Sequence, residues 1–159
     1  MTVTLHRPSN VDEPGQLSSL IRVLRQLAET LPVVFPIHPR TNRTIETAGI
    51  STEGLFLTPP LGYLDFLQLM SHARVVLTDS GGIQEETTIL QVPCLTIREN
   101  TERPITIEQG TNRLVGSDPE QILQAALKAL RNPLRAGHTP ELWDGHASSR
   151  ILDILEQQI

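Results

Sequence analysis

Short apolar runs of strand character alternate along this chain with longer stretches of helical periodicity. That alternation builds a parallel sheet covered by helices. The strand runs fall at about Val3–Leu5, Pro32–Ile37, Gly54–Leu57, Ala73–Thr78, Pro93–Ile97 and Asn112–Leu114. Between the first two, Leu17, Leu20, Ile21, Leu24, Leu27 and Ala28 recur at spacings of three and four, which predicts one apolar stripe on a helix over about Gln16–Thr30. Shorter helices are predicted over Tyr63–His72, with Leu64, Leu67 and Met70 facing inward, and over Ile83–Leu90, directly after Gly81-Gly82. Two further amphipathic helices are read at Pro119–Leu130 and Ala147–Gln157. Asp118 is placed to cap the first of these, with proline in its first turn. The run Arg74-Val-Val-Leu-Thr78 is apolar with little alternation, as in a strand buried on both faces. The Pro- and Gly-richer segment Arg131–Gly145 is expected to wrap the surface before the last helix.

No internal repeat, low-complexity tract or long linker interrupts this pattern, so residues 1–159 read as a single α/β domain. A chain of that length buries roughly two-thirds of its unfolded surface and needs no disulfide or structural metal. Its one cysteine, Cys94, lies inside a predicted strand and reads as a buried, inert thiol. The net charge is −5 with both signs interspersed, which argues against a nucleic-acid backbone or an anionic membrane as partner. No apolar run approaches the roughly 20 residues that span a bilayer. The N-terminal residues show no basic stretch followed by an apolar one, so a cytoplasmic location is expected.

The strongest local signal is Val75-Val-Leu-Thr-Asp79-Ser80-Gly81-Gly82-Ile83-Gln84-Glu85-Glu86: a buried strand, a tight turn and a helix. In an open α/β sheet, ligands bind beyond the carboxyl ends of the strands, where a helix N-terminus offers unpaired N–H groups to a phosphate. Glycines let a diphosphate approach the backbone, Ser80 adds a hydroxyl, and Glu86, one turn on, can accept from the vicinal hydroxyls of a ribose. An ordinary Gly-containing helix cap explains the same segment equally well. His6-Arg7 and His38-Pro39-Arg40 follow the first and second strands, where they form either an anion pocket or solvated loops. Arg103 precedes Pro104 in a polar stretch after the fifth strand and reads as a phosphate-closing group or as part of a surface ion-pair network. Phe66 reads as core, or as a platform for a base. His72, His138 and His146 lack metal-ligand spacing, and no Walker, G-x-S-x-G or kinase sequence occurs.

Taken together, Thr4-Leu5-His6-Arg7-Pro8-Ser9-Asn10, Phe35-Pro36-Ile37-His38-Pro39-Arg40, Pro60-Leu61-Gly62-Tyr63, the Thr78–Glu86 segment and Arg98-Glu99-Asn100-Thr101-Glu102-Arg103-Pro104 resemble the C-terminal half of a non-hydrolysing UDP-N-acetylglucosamine 2-epimerase. The likeness continues through Gly110–Gly116 to Asp144-Gly145 and Ser149-Arg150-Ile151. It implies a three-layer Rossmann-like domain with a mostly parallel sheet of about six strands, equivalent to the C-terminal lobe of a glycosyltransferase-B fold. By motif position, Ser80, Gly81 and Gly82 would hold the diphosphate, Glu86 the ribose and Arg103 the diphosphate or sugar side. Phe66 would lie near the uracil, and His6 would be the active-site histidine. Arg7 and His38 are similar to residues that touch a second, regulatory UDP-sugar in some bacterial members. Leu61 departs from the family where some members carry glutamine beside the uracil.

The reaction the resemblance implies interconverts UDP-N-acetylglucosamine and UDP-N-acetylmannosamine without NAD or metal. UDP leaves by anti elimination as the C2 proton is lost, then adds back to a 2-acetamidoglucal with C2 inverted. The base and acids at C2 would belong to the other, N-terminal lobe, so this chain alone is expected to be inactive or nearly so. Its expected partners are UDP, a UDP-N-acetylhexosamine and that lobe. A homodimer of the full-length protein would be made mostly through the other lobe. The competing readings are the donor lobe of a glycosyltransferase, which shares the architecture, and a lone module that senses a UDP-sugar. The last helix, with Ile151, Leu152, Ile154 and Leu155 on one side, packs toward the other lobe in the family. Alone, it is expected to dock on its own domain or stay partly mobile.

Overall fold

Six short strands, each taken from an apolar run, hydrogen-bond side by side in a computed structural model that describes residues 1–131 and 137–157. They are β1 (Thr2–Thr4), β2 (Val34–Pro36), β3 (Phe56–Thr58), β4 (Val76–Thr78), β5 (Cys94–Thr96) and β6 (Asn112–Leu114). Their order is β3-β2-β1-β4-β5-β6, and every pairing is parallel, where the sequence predicts a mostly parallel sheet. β1 and β4 are neighbours in space but not in sequence, in the register Thr2 to Val76 and Thr4 to Thr78. The chain builds outward from that pair in both directions, which opens a crevice at their carboxyl ends.

The helices are α1 (Pro8–Val11), α2 (Pro14–Ala28), α3 (Pro39–Thr47), α4 (Tyr63–Ser71), α5 (Gly81–Leu90), α6 (Ile105–Glu108), α7 (Pro119–Arg131) and α8 (Ala147–Glu156). α2 starts with proline in its first turn, and its predicted stripe is buried: Leu17, Leu20, Ile21, Leu24 and Leu27 are at most 1% exposed. α7 packs beside it, and Asp118 caps α7 by accepting from the Gln121 N–H at 2.8 Å. Their apolar faces cover Val3, Leu5, Phe35, Val75, Leu77, Leu95 and Ile97 on one side of the sheet. On the other side Met70, Val76 and Val92 form a smaller cluster with Phe66, Leu67, Ile83 and Leu90 of α4 and α5. No helix among the described residues is long and apolar enough to cross a membrane.

Several expectations shift. The third strand begins at Phe56 rather than Gly54. Gly54 has φ +85°, a turn conformation that suits glycine, and Leu55 N–H closes that turn on the Thr52 carbonyl at 3.1 Å. Leu64 does not face inward; it is 75% exposed. At about 100° per residue it sits about 120° around the helix from Met70, and Phe66 takes the inward place beside Leu67 and Met70. Helix α3 has no counterpart in the sequence reading. It buries only Thr41 and Ile45 and is started by Pro39 behind a His38 cap. α8 forms over the predicted residues but buries none of them: Ile151, Leu152, Ile154 and Leu155 are 52–58% exposed. Of the two expected alternatives, docking on its own domain is not seen among the described residues. Of the segment 131–145 expected on the surface, residues 132–136 lie outside the described residues.

Candidate functional site

The carboxyl ends of β1 and β4 carry His6-Arg7 and Asp79-Ser80 into the same crevice. Asp79 is fully buried, and an ionised carboxylate in such a place must be surrounded by donors. It accepts from the backbone N–H groups of His6 at 3.1 Å and Arg7 at 2.9 Å, and from Asn10 Nδ2 of α1 at 3.0 Å. Its Oδ1 also lies 3.0 Å from His6 Nδ1, whose side chain is 53% exposed. An imidazole that donates Nδ1–H to a carboxylate has its orientation and tautomer set by that bond, and Nε2 is left to act. The geometry thus pairs a buried carboxylate with a half-exposed histidine. The sequence reading names His6 but gives Asp79 no role. The signal was a carboxylate closing a fully buried strand.

Next along the chain, Ser80 stands at the N-cap of α5 with extended backbone (φ −87°, ψ 137°), and its side chain makes no capping bond. No acidic residue stands in the first turn, so neither a hydroxyl nor a carboxylate side chain quenches this helix end. Gly81 and Gly82 have ordinary negative φ, and a Cβ added to either would meet no protein atom within 4 Å. Neither packing nor backbone strain therefore requires glycine here, and the pair leaves the α5 amides open to approach. Arg103 reaches α5 from the loop before α6, its Nε 2.8 Å from Glu85 Oε1. Arg98 grips Glu102 through two bonds of 2.8 and 2.7 Å and holds that carboxyl down to about 2. The loop is thus an ion-pair network that also delivers an arginine to the helix.

Glu86 lies on the flank of α5 facing α4. Burial pushes its carboxyl above the ordinary glutamate range, partly offset by the neighbouring Tyr63 hydroxyl; Glu85 nearby also pushes it up. Tyr63, Leu67, Glu85, Glu86, Ile89, Leu90 and Trp143 line a cavity of about 360 Å³ there. Phe66 is half-buried against the Met70–Val76–Val92 cluster, and Leu61 is 38% exposed just ahead of α4. His38 caps α3 by accepting from the Arg40 N–H at Nδ1, 3.2 Å away. Arg7 donates Nε–H to the Asp79 carbonyl at 3.3 Å and lies 4.0 Å from Glu102. Burial pushes the Cys94 thiol up to about 11, as a structural cysteine requires.

The sequence profile described as UDP-N-acetylglucosamine 2-epimerase matches residues 1–156. The chain belongs to that family. A UDP-N-acetylglucosamine 2-epimerase of Methanococcus maripaludis is 40% identical over 160 residues, covering 96% of this chain and 43% of that protein. A Pseudomonas aeruginosa UDP-2,3-diacetamido-2,3-dideoxy-D-glucuronate 2-epimerase is 38% identical over 154 residues, with the same two coverages. The crystal structure of the Methanocaldococcus jannaschii UDP-GlcNAc 2-epimerase, in complex with UDP-GlcNAc and UDP, superposes at a TM-score of 0.85. It is 38% identical, and the match covers 98% of this chain and 44% of that one. The chain therefore spans less than half the length of these relatives, and its Rossmann-like fold is that of one lobe of the glycosyltransferase-B architecture.

Proposed function

We propose that this chain is the UDP-binding half of an epimerase that inverts C2 of a UDP-linked 2-acetamido sugar. The observation that carries the reading is the bare N-terminus of α5 at the β1/β4 crevice, flanked by His6 on one side and Arg103 on the other. A departing nucleoside diphosphate gains negative charge as its bond to C1 breaks, and donors fixed in advance stabilise that charge most. In this reading the Ser80 hydroxyl and the amides of Gly81 and Gly82 receive the diphosphate, and Arg103 moves from Glu85 onto it. In its imidazolium form His6 donates from Nε2 while Nδ1–H stays on Asp79. Glu86 takes the ribose hydroxyls, and Phe66 lies near the uracil. Arg7 and His38 form part of a second, regulatory UDP-sugar site.

In the reaction, UDP is expelled as the C2 proton leaves; UDP then bonds to C1 of the resulting 2-acetamidoglucal while a proton returns to the opposite face of C2, which inverts it. Relatives of nearly equal identity carry two different sugar names. This half is accordingly proposed to read the UDP, common to both, and to leave the sugar's substituents to the remainder of the enzyme. The test is an amide-resolved NMR titration of the 159-residue chain with UDP and with uridine, repeated on Glu86→Ala. UDP is expected to shift Gly81 and Gly82 strongly, uridine hardly at all, and Glu86→Ala to weaken both ligands. If millimolar UDP leaves those two amides unmoved, the diphosphate is not on this helix.

A further inference from the structure

The sheet face under α5 and α6 carries buried polar side chains: Thr78 and Thr96 at the carboxyl ends of β4 and β5 are fully buried, Asn112 at the amino end of β6 is 6% exposed, and Thr106 of α6 and Gln84 of α5 are fully buried beside them. Gln84 Oε1 accepts from Thr101 Oγ1 at 2.6 Å and from Asn112 Nδ2 at 3.0 Å, while its Nε2 donates to the Ser80 carbonyl at 3.1 Å. Asn112 Oδ1 accepts from Thr96 Oγ1 at 2.6 Å, and its Nδ2 donates also to Thr106 Oγ1 at 3.1 Å. The outer ends of this network converge on one residue. Arg103 donates its backbone N–H to Thr101 Oγ1 at 3.0 Å, and its carbonyl accepts from Thr106 Oγ1 at 2.7 Å. The Thr101 and Thr106 hydroxyls each serve as one donor and one acceptor.

Leucine and valine would fill the same space without the cost of burying two amides. Apolar contact, however, tolerates sliding, whereas a satisfied network of short, directional bonds fixes backbone position. The two backbone segments fixed here are the Ser80 turn and the loop that carries Arg103. We infer that the buried Gln84–Asn112 amide pair is a positioning device that sets Arg103 opposite the Ser80–Gly82 turn, so that the guanidinium and the α5 amides close on the same diphosphate. This rests on reading that turn as a UDP site. Gln84 and Asn112 touch no ligand themselves; they act through Thr101 and Thr106.

The test compares calorimetric binding of UDP and of uridine to the chain and to Thr101→Val, Thr101→Ser, Arg103→Ala and the Thr101→Val/Arg103→Ala double variant. Thr101→Val keeps the side-chain shape and removes one hydroxyl. It is expected to weaken UDP about three- to tenfold, the effect of one hydrogen bond, while uridine stays within about twofold. Thr101→Ser restores UDP binding. In the Arg103→Ala background, Thr101→Val changes UDP affinity by less than about twofold, because the group it positions has gone. Equal losses for UDP and uridine, or an undiminished loss in the Arg103→Ala background, overturn the positioning role. Should Arg103→Ala itself leave the ratio of UDP to uridine affinity unchanged, the site reading fails and this inference with it. Arg103→Ala weakening UDP while Thr101→Val does not removes the positioning role alone. Should Thr101→Val fail to fold by circular dichroism, Thr106→Val breaks the other grip on Arg103 and is held to the same outcomes.

Discussion

Asp79 shows how much one side chain can organise. Its carboxylate is the only group on which the His6 and Arg7 amides, Asn10 Nδ2 and His6 Nδ1 all converge among the described residues. Asp79→Asn replaces one acceptor oxygen by a donor that faces other donors, and buried donors left unmatched cost about 1–3 kcal/mol. A loss of stability of that size, read as a lower Tm, is expected, together with loss of the Nδ1–H preference in the His6 imidazole nitrogen spectrum. An unchanged tautomer would show that Asp79 does not orient His6. Glu86 gives the matching pH prediction. Its carboxyl is raised by burial, and the ionised form accepts from two ribose hydroxyls more strongly than the neutral acid does. Acidification through that raised value protonates Glu86, so UDP affinity is expected to fall before the ordinary glutamate range is reached. Glu86→Gln removes the titration and should give a flatter profile; a flat profile in the unaltered chain removes Glu86 from the ribose.

Between elements, the contrast is sharpest for α2 and α8, which look alike in sequence as amphipathic helices. Leu24 of α2 is 1% exposed, whereas Leu155 of α8 is 52% exposed. Leu24→Ala is therefore expected to cost about 2–5 kcal/mol in thermal unfolding. Ile151→Ser and Leu155→Ser should each stay within about 0.5 kcal/mol, because in this chain they leave no core. A large loss from either serine variant would mean that α8 docks on the domain in solution. The same comparison explains what was legible in the sequence. Buried-strand runs and the α2 stripe announce themselves, because every turn or residue repeats the signal. α3 buries two side chains, so its only local mark was proline behind His38. The Ser80-Gly81-Gly82 turn and Arg103 stand out by residue type. Asp79 and Gln84 do not, because their roles lie in partners 69–73 and 17–28 residues away, brought together only by the sheet.

For the whole molecule, the balance of donors and bases at the crevice leads to a prediction about activity. Epimerisation at C2 needs groups that stabilise a leaving diphosphate and a base that takes a carbon-bound proton. This chain is rich in the first: a bare helix end, Arg103 and an oriented histidine. Of its nearby acids, Asp79 is held by its ring of donors and Glu102 by Arg98, Glu86 is proposed for the ribose, and Glu85 is paired with Arg103 until the diphosphate draws that arginine away. The relatives are more than twice as long, and the base is expected in the part of their length that this chain does not span. The isolated chain should therefore bind UDP-N-acetylglucosamine yet leave its C2 proton in place when incubated in heavy water and followed by proton NMR. The control is Glu86→Ala, with a full-length relative as the positive reference. Deuterium entering C2 above that control would mean that one of these engaged carboxylates is released on binding and serves as the base, and catalysis would then have to be assigned to this half as well.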